Sequence, residues 1–396
     1  MDKYPVVMDE SYLKTRKAKS TRMAIDPAEY VSNFVVPPAL MKRMLSAVDE
    51  EKSCRKLSAY FISRCNENVL SGDDKEIVVS VDPDLVSFSS SYLYTMSHFY
   101  ECKTRCSRWV AEMQWLCEDW DKLDVPDVPE LFSREIDVHF SKLDASRKFS
   151  DCQKMQQIAL EVMPRYECSA MRTRFSLKSR DFGINFKEII GFVACESMLN
   201  DSVVQFAFQV ICDSTEDCFF ANSLMCSTGC SLKPPTRKTS TTEYVILPVR
   251  LSDIHWGVLI VNLVYLSRIT VQYYEPLCRT SYRPAMQDEW HEHLEPFLKE
   301  WHVASGGITA FPDVTEEWIF QPKQSDGSSC GVMIIGQVYY LVHDEYRFQR
   351  QVPSATYARV MRLRILWILL CKSIIENPVD IDVERINMKL VEYFKT

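Results

Sequence analysis

Glycine is scarce in this chain: ten residues in 396, or about one in forty, where ~7 % is usual. No stretch has the spacing of a phosphate-cradling glycine loop, a dinucleotide fingerprint or a serine nucleophile elbow. The nucleotide-handling and serine-hydrolase classes that such motifs mark are therefore set aside. The first residues, MDKYPVVMDESYLK, lack the apolar core of a secretory signal. The longest compact apolar run near the other end, ILWILLC at 365–371, is too short to span a bilayer. Excess positive charge is missing too, since a formal net charge of −8 does not suit a chain built to coat nucleic acid. Internal repeats and low-complexity segments are absent. The expectation is an intracellular chain of the nucleus or cytoplasm, with no membrane partner and no nucleic acid expected for the domain over 161–396. One short basic stretch, KTRKAKSTR at 14–22, reads as a solvated tail or a nuclear-import signal.

What is present is enough apolar and aromatic material, 46% and 12%, for a substantial core. The fifteen cysteines are irregularly placed, which in a reducing compartment predicts mostly free, buried thiols. The length suits two parts. Residues 1–160 read as a mainly helical N-terminal extension of unassigned role, with a helix over 98–123 broken by the two prolines of DVPDVPELF at 124–132. Residues 161–396 read as an α+β domain. A helix starts near Asn200 or Asp201, both good N-cap types. Three strands follow at YVILPV (244–249), HWGVLIVNL (255–263) and ITVQYY (269–274), rich in the β-branched and aromatic residues that suit a sheet. A helix around 285–301, a strand at EWIF (317–320) and a late core helix over 358–374 complete the pattern.

Two of the few glycines flank one cysteine, in QSDGSSCG at 324–331. Cys330 stands where a loop turns into an apolar helix, with Ser328 and Ser329 as candidate caps. The unpaired amides and dipole of a helix start favour the anion of a thiol placed there. Gly331 would let a substrate approach the backbone, whose N–H could face an oxyanion. His255 opens one apolar strand and Glu275 ends the next. If those strands are antiparallel neighbours, the two side chains meet across the sheet, and the carboxylate would orient the imidazole. Gln324, six residues before Cys330, is a neutral donor suited to the same oxyanion. Each of these residues also has a bland reading, as a core cysteine, a structural histidine, a solvated carboxylate or a surface amide.

Together, the order His, acid, Gln, Cys, with HW opening a strand, YYEPL ending the next and Q-x-x-G-x-x-C-G, resembles the SUMO and ubiquitin-like-protein-specific cysteine peptidases. Their clan includes the adenovirus protease. MLND at 198–201 is similar to that family's W-L-N-D entry to its first helix. The resemblance implies a papain-like cysteine peptidase core, a central mixed sheet flanked by helices, acting without a cofactor. It implies Cys330 as nucleophile, His255 as base and then acid, Glu275 as orienting acceptor and Gln324 as oxyanion donor. The implied partner is a protein substrate, a ubiquitin-like modifier or its conjugate, with Trp256, Met198 and Gly331 at the binding channel.

Three departures stand out. The family's usual Asp is Glu275 here, whose extra methylene still permits the bond to imidazole Nδ1. The first of two tryptophans that clamp a Gly-Gly tail is replaced by Met198, while Trp256 is kept. The acidic residue usual before the nucleophile is Ser329. Some bacterial effectors of the clan use a His-Glu-Cys set for acetyl transfer, so an acetyltransferase, or a pseudo-peptidase that only binds a modifier, is the alternative. A zinc site from His98, Cys102, Cys106 and Cys117, with CSTGC at 226–230, lacks a matching second pair, and no metal is expected.

Overall fold

A computed structural model describes residues 76–81, 84–89 and 108–376, the last with breaks at 110, 121–122, 124–127, 144–147, 170–172, 178–181, 195–196, 223–233, 253–254, 264–267, 308–309 and 344–345. The basic stretch at 14–22 and the zinc candidates other than Cys117 lie outside these residues. Among the described residues no cluster of His, Cys, Asp and Glu could hold a metal, and no helix is long and apolar enough to cross a membrane.

Strands β1 (Glu76–Val81) and β2 (Asp84–Ser89) pair antiparallel, so the extension read as mainly helical also carries a hairpin. Helix α1 (Ser133–Leu143) is followed by α2 (Asp151–Cys168). The start of α2 is held by a capping box, in which Ser150 accepts the Gln153 amide and the Gln153 side chain accepts the Ser150 amide. The domain boundary expected at 160/161 falls inside this helix. The physical reason is packing. Trp109, Trp115, Leu131, Phe132, Ile136 and Ile158 join the same buried cluster as Phe206, Val258 and Cys330. Each such side chain contributes roughly 1.5–3 kcal/mol by leaving water. The segment from about 109 onward is therefore part of one packed body, and the end of the proline segment at 124–132, Leu131 and Phe132, is core.

Strands β3 (Arg174–Ser176) and β4 (Gly183–Asn185) form a small antiparallel sheet with β10 (Ile374–Ile375). Helix α3 (Asp201–Asp213) begins where expected, Asn200 accepting the Val203 amide at 3.1 Å. The main sheet has five strands in sequential order: β5 (Cys218–Phe220), β6 (Tyr244–Ser252), β7 (His255–Asn262), β8 (Arg268–Tyr274) and β9 (Asp313–Ile319). The two outer pairings are parallel and the two inner ones antiparallel. This is the α+β, mixed-sheet architecture expected from the strand patterns.

Both faces of the sheet are covered, which explains the nearly unbroken apolar runs of β6 and β7. On one face Ile246, Trp256, Val258, Ile260 and Tyr274 share a cluster with α3, α6 (Cys330–Val342) and α7 (Ala355–Cys371). On the other, Leu247, Leu259, Val271 and Tyr273 pack with residues of α4 (Arg283–Asp288) and α5 (Glu295–Ala304), which a π-helical turn at Glu289–Leu294 joins.

Candidate active site

The register of β7 and β8 sets up the first pair. Val258 lies opposite Tyr274, so continuing the ladder brings Glu275, one residue past β8, level with Gly257. His255 is two residues further along on the same face. Diagonal neighbours of this kind are ~7–8 Å apart, a gap that long side chains span. His255 Nε2 donates to Glu275 Oε1. The nitrogen used is Nε2, where Nδ1 was expected. His255 is hydrogen-bonded to Cys330 as well. The imidazole also stacks on Tyr282, with ring centroids 4.9 Å apart.

Glu275 is held on three sides. Its Oε1 also accepts the amide of Leu277 at 2.7 Å, and its Oε2 accepts that of Arg279 at 2.7 Å. Burial alone would push its carboxyl up; the bonds from His255, Arg279 and Leu277 outweigh that and hold it below the usual carboxylate range. Burial alone would likewise lower His255. Its bonds to Cys330 and Glu275, and the charges of both, instead raise it to about 9.

Cys330 is the first residue of α6, on the sheet face opposite to the one His255 and Glu275 occupy by alternation. The three meet around the end of the strands. All are buried: Cys330 0% exposed, Glu275 3% and His255 5%.

The serines expected as caps are themselves held. Ser329 occupies the N-cap position without a side-chain cap bond. Asp326 holds the turn before the helix: Oδ1 accepts the amides of Ser328 and Ser329 at 3.0 and 2.8 Å, and Oδ2 accepts the Ser329 hydroxyl at 2.6 Å. Burial raises Asp326, but these bonds and the charge of Arg362 bring it below the ordinary range.

Gln324 is anchored beside the Glu275 turn, its amide donating to the Pro276 carbonyl at 3.0 Å. Tyr274 Oη fixes the same loop by donating to the Pro322 carbonyl at 2.7 Å. The Gln324 side-chain nitrogen donates to the Asp326 carbonyl at 2.7 Å, so one of its two N–H bonds is used within the loop.

The two flanking glycines differ. A Cβ on Gly331 would lie 2.9 Å from Leu199 Cβ, whereas Gly327 has nothing within 4 Å. Gly331 is thus required by the close approach of Leu199, and its space is not open to a substrate. Trp256 Nε1 donates to the Leu199 carbonyl at 3.0 Å. Leu199 thereby links Trp256, the helix start at Gly331 and its neighbour Met198, which is half-buried.

Tyr282, Leu199, Asp326 and Arg362 were not singled out in the sequence. For Asp326 a signal existed, since an Asp three residues before the N-cap position can accept loop amides. Arg362 carried a signal too, unused, as a charge inside an apolar helix run. Tyr282 had no sequence signal.

No family model matches the sequence, and no curated protein does. Among solved structures the chain is similar to the SUMO protease Ulp1 with its catalytic cysteine oxidised to a sulfenic acid, at 17% identity over 57% of this chain and 97% of that one, TM-score 0.42. It is similar to the C-terminal Ulp1 protease domain in complex with Smt3, the yeast ortholog of SUMO, at 18% identity over 57% and 96%, TM-score 0.42. The Chaetomium thermophilum Ulp1-like SUMO protease catalytic domain gives 17% identity over 57% and 90%, TM-score 0.42.

Proposed function

We propose that this chain is a cysteine-type peptidase or isopeptidase that cleaves after the C-terminal glycine region of SUMO or another ubiquitin-like modifier. The observation that carries the reading is the imidazole of His255, hydrogen-bonded to Cys330 on one side and to Glu275 on the other. A thiol, a base and an orienting carboxylate in that order are what nucleophilic catalysis by cysteine needs.

Before substrate arrives His255 has taken the Cys330 proton, leaving an imidazolium beside a thiolate, and the thiolate attacks the scissile carbonyl. The tetrahedral oxyanion is met by the Cys330 backbone N–H and by the remaining N–H of the Gln324 amide. The imidazolium then delivers its proton to the leaving amine, and an acyl-enzyme remains on Sγ. His255 next activates a water that releases the carboxylate product. Glu275 stays ionised throughout, supported by its two backbone amides, and holds the imidazole by its Nε2–H.

Complete burial of Cys330, in the cluster that also holds Leu199 and Trp256, favours a thin, extended substrate. A chain ending in glycines has no side chains to clash beside the scissile bond. Met198 takes part in lining that channel, as a flexible and polarisable side chain.

The test is hydrolysis of C-terminal aminomethylcoumarin conjugates of SUMO, ubiquitin and related modifiers. Release of the fluorophore from one of them by wild type, and its loss in Cys330→Ala, supports the reading. Failure on every conjugate, with transfer of an acetyl group from acetyl-CoA to Cys330, replaces it with an acetyltransferase.

A further inference from the structure

Arg362 lies on α7 with only 1% of its surface exposed. Its Nη1 donates to the carbonyls of Phe192 and Val193 at 3.4 and 3.2 Å. Its Nη2 donates to the carbonyl of Ser328 at 3.2 Å and reaches Ser329 Oγ at 3.5 Å. A buried guanidinium is costly to desolvate unless its N–H groups are used. Here they are spent on two backbone segments, one of them the pair of residues just before Cys330.

Those same two residues are held from the other side by Asp326, through both amides and the Ser329 hydroxyl. Ser329 has φ −91° and ψ 10°, the turn conformation that leads the chain into α6. Its hydroxyl is committed to Asp326 and caps nothing. The conformation of Ser329 sets the plane of the following peptide, and with it the direction of the Cys330 N–H and of the Cα–Cβ bond that aims Sγ at His255.

We propose that Arg362 is a positioning residue for Cys330: with Asp326 it clamps Ser328 and Ser329, and it ties them to the 192–193 segment that leads to Leu199. The proposal rests on Cys330 being the nucleophile. A lysine would keep the charge but could not fork to both segments, since an ammonium is a single donor point and a guanidinium is a rigid, planar array.

The experiment compares full-length wild type with Arg362→Lys, Arg362→Gln and Arg362→Ala. Iodoacetamide is the probe, and alkylation of Cys330 is followed by peptide mass spectrometry, with melting curves to confirm folding. Misaiming Sγ from the imidazole slows Cys330 alkylation ~10–100-fold in the Lys and Gln variants. On a SUMO aminomethylcoumarin conjugate, kcat falls by a similar factor while KM stays close to wild type. Methylguanidinium chloride restores part of the alkylation rate of Arg362→Ala, and sodium chloride at equal ionic strength does not. Alkylation at the wild-type rate or faster in both folded Lys and Gln variants overturns the proposal, as does a loss confined to KM. If wild type does not cleave the SUMO conjugate, the functional reading fails for that modifier, and the alkylation rates still decide the role of Arg362.

Discussion

Glu275 gathers three donors onto one carboxylate: His255 Nε2, the amide of Leu277 and the amide of Arg279. The side chain is therefore fixed by its own turn before it fixes the imidazole. Its length suits the diagonal placement that the β7–β8 register dictates.

Replacing Glu275 with Gln tests that relationship. The amide would keep the shape but lose the charge that helps raise His255 to about 9. A raised imidazole stays protonated until pH climbs through that value, so activity on a cleaved conjugate should fall on the alkaline side near pH 9. In Glu275→Gln the imidazolium loses its counter-ion, so the alkaline fall should move to lower pH and kcat should drop ~10²-fold. A pH–rate profile checks both. An unmoved alkaline limb would mean that Glu275 does not support the imidazolium.

The two glycines around the nucleophile should respond differently. Gly331→Ala forces a Cβ to 2.9 Å from Leu199 Cβ and should cost roughly 1–3 kcal/mol of stability, as overpacking does, with activity lost alongside. Gly327→Ala meets nothing within 4 Å and should shift stability by less than ~0.5 kcal/mol. Urea unfolding of the two variants against wild type measures the contrast.

Asp326→Asn weakens the grip on Ser328 and Ser329 while leaving the shape of the loop intact. It also removes the negative charge that accompanies buried Arg362. We expect kcat to fall by ~10-fold or more, as misorientation at a reacting centre does, with little change in KM. Steady-state kinetics on a fluorogenic conjugate read the split.

The packed body extends well before residue 161. A chain beginning at 161 would begin inside α2 and leave out Trp109, Trp115, Phe132, Ile136 and Ile158, all of which are buried in the cluster that holds Cys330. It should be insoluble or molten, whereas one beginning near 100 should melt cooperatively. Circular dichroism and near-UV spectra of the two separate the outcomes.

The strands and the meeting of His255 with Glu275 were legible in the sequence because their signals are local or simply periodic. Alternating and continuous apolar runs marked β6, β7 and β8, and adjacency of those strands brought His255 to Glu275. The rest depended on tertiary contact. The boundary drawn at 160 followed prolines and composition, but Leu131 and Phe132 at the end of that proline segment are buried by helices that come more than two hundred residues later. Gly331 was noticed for a backbone approach, and the neighbour that fills its space, Leu199, is distant in sequence. The choice of Nε2 over Nδ1 depends on how the ring is turned between two partners and on the Tyr282 face beneath it, which no linear pattern encodes.

The central claim is that Cys330 is a nucleophile that accepts the C-terminal glycine of a ubiquitin-like modifier. The most direct measurement treats the full chain with modifiers that carry a thiol-reactive group at the C-terminus, SUMO and ubiquitin among them, and maps any adduct by mass spectrometry. We expect a covalent adduct of one modifier on Cys330 that is absent in Cys330→Ala and much slowed in His255→Ala. Absence of labelling at Cys330 by every modifier, or equal labelling of the His255→Ala chain, would contradict it.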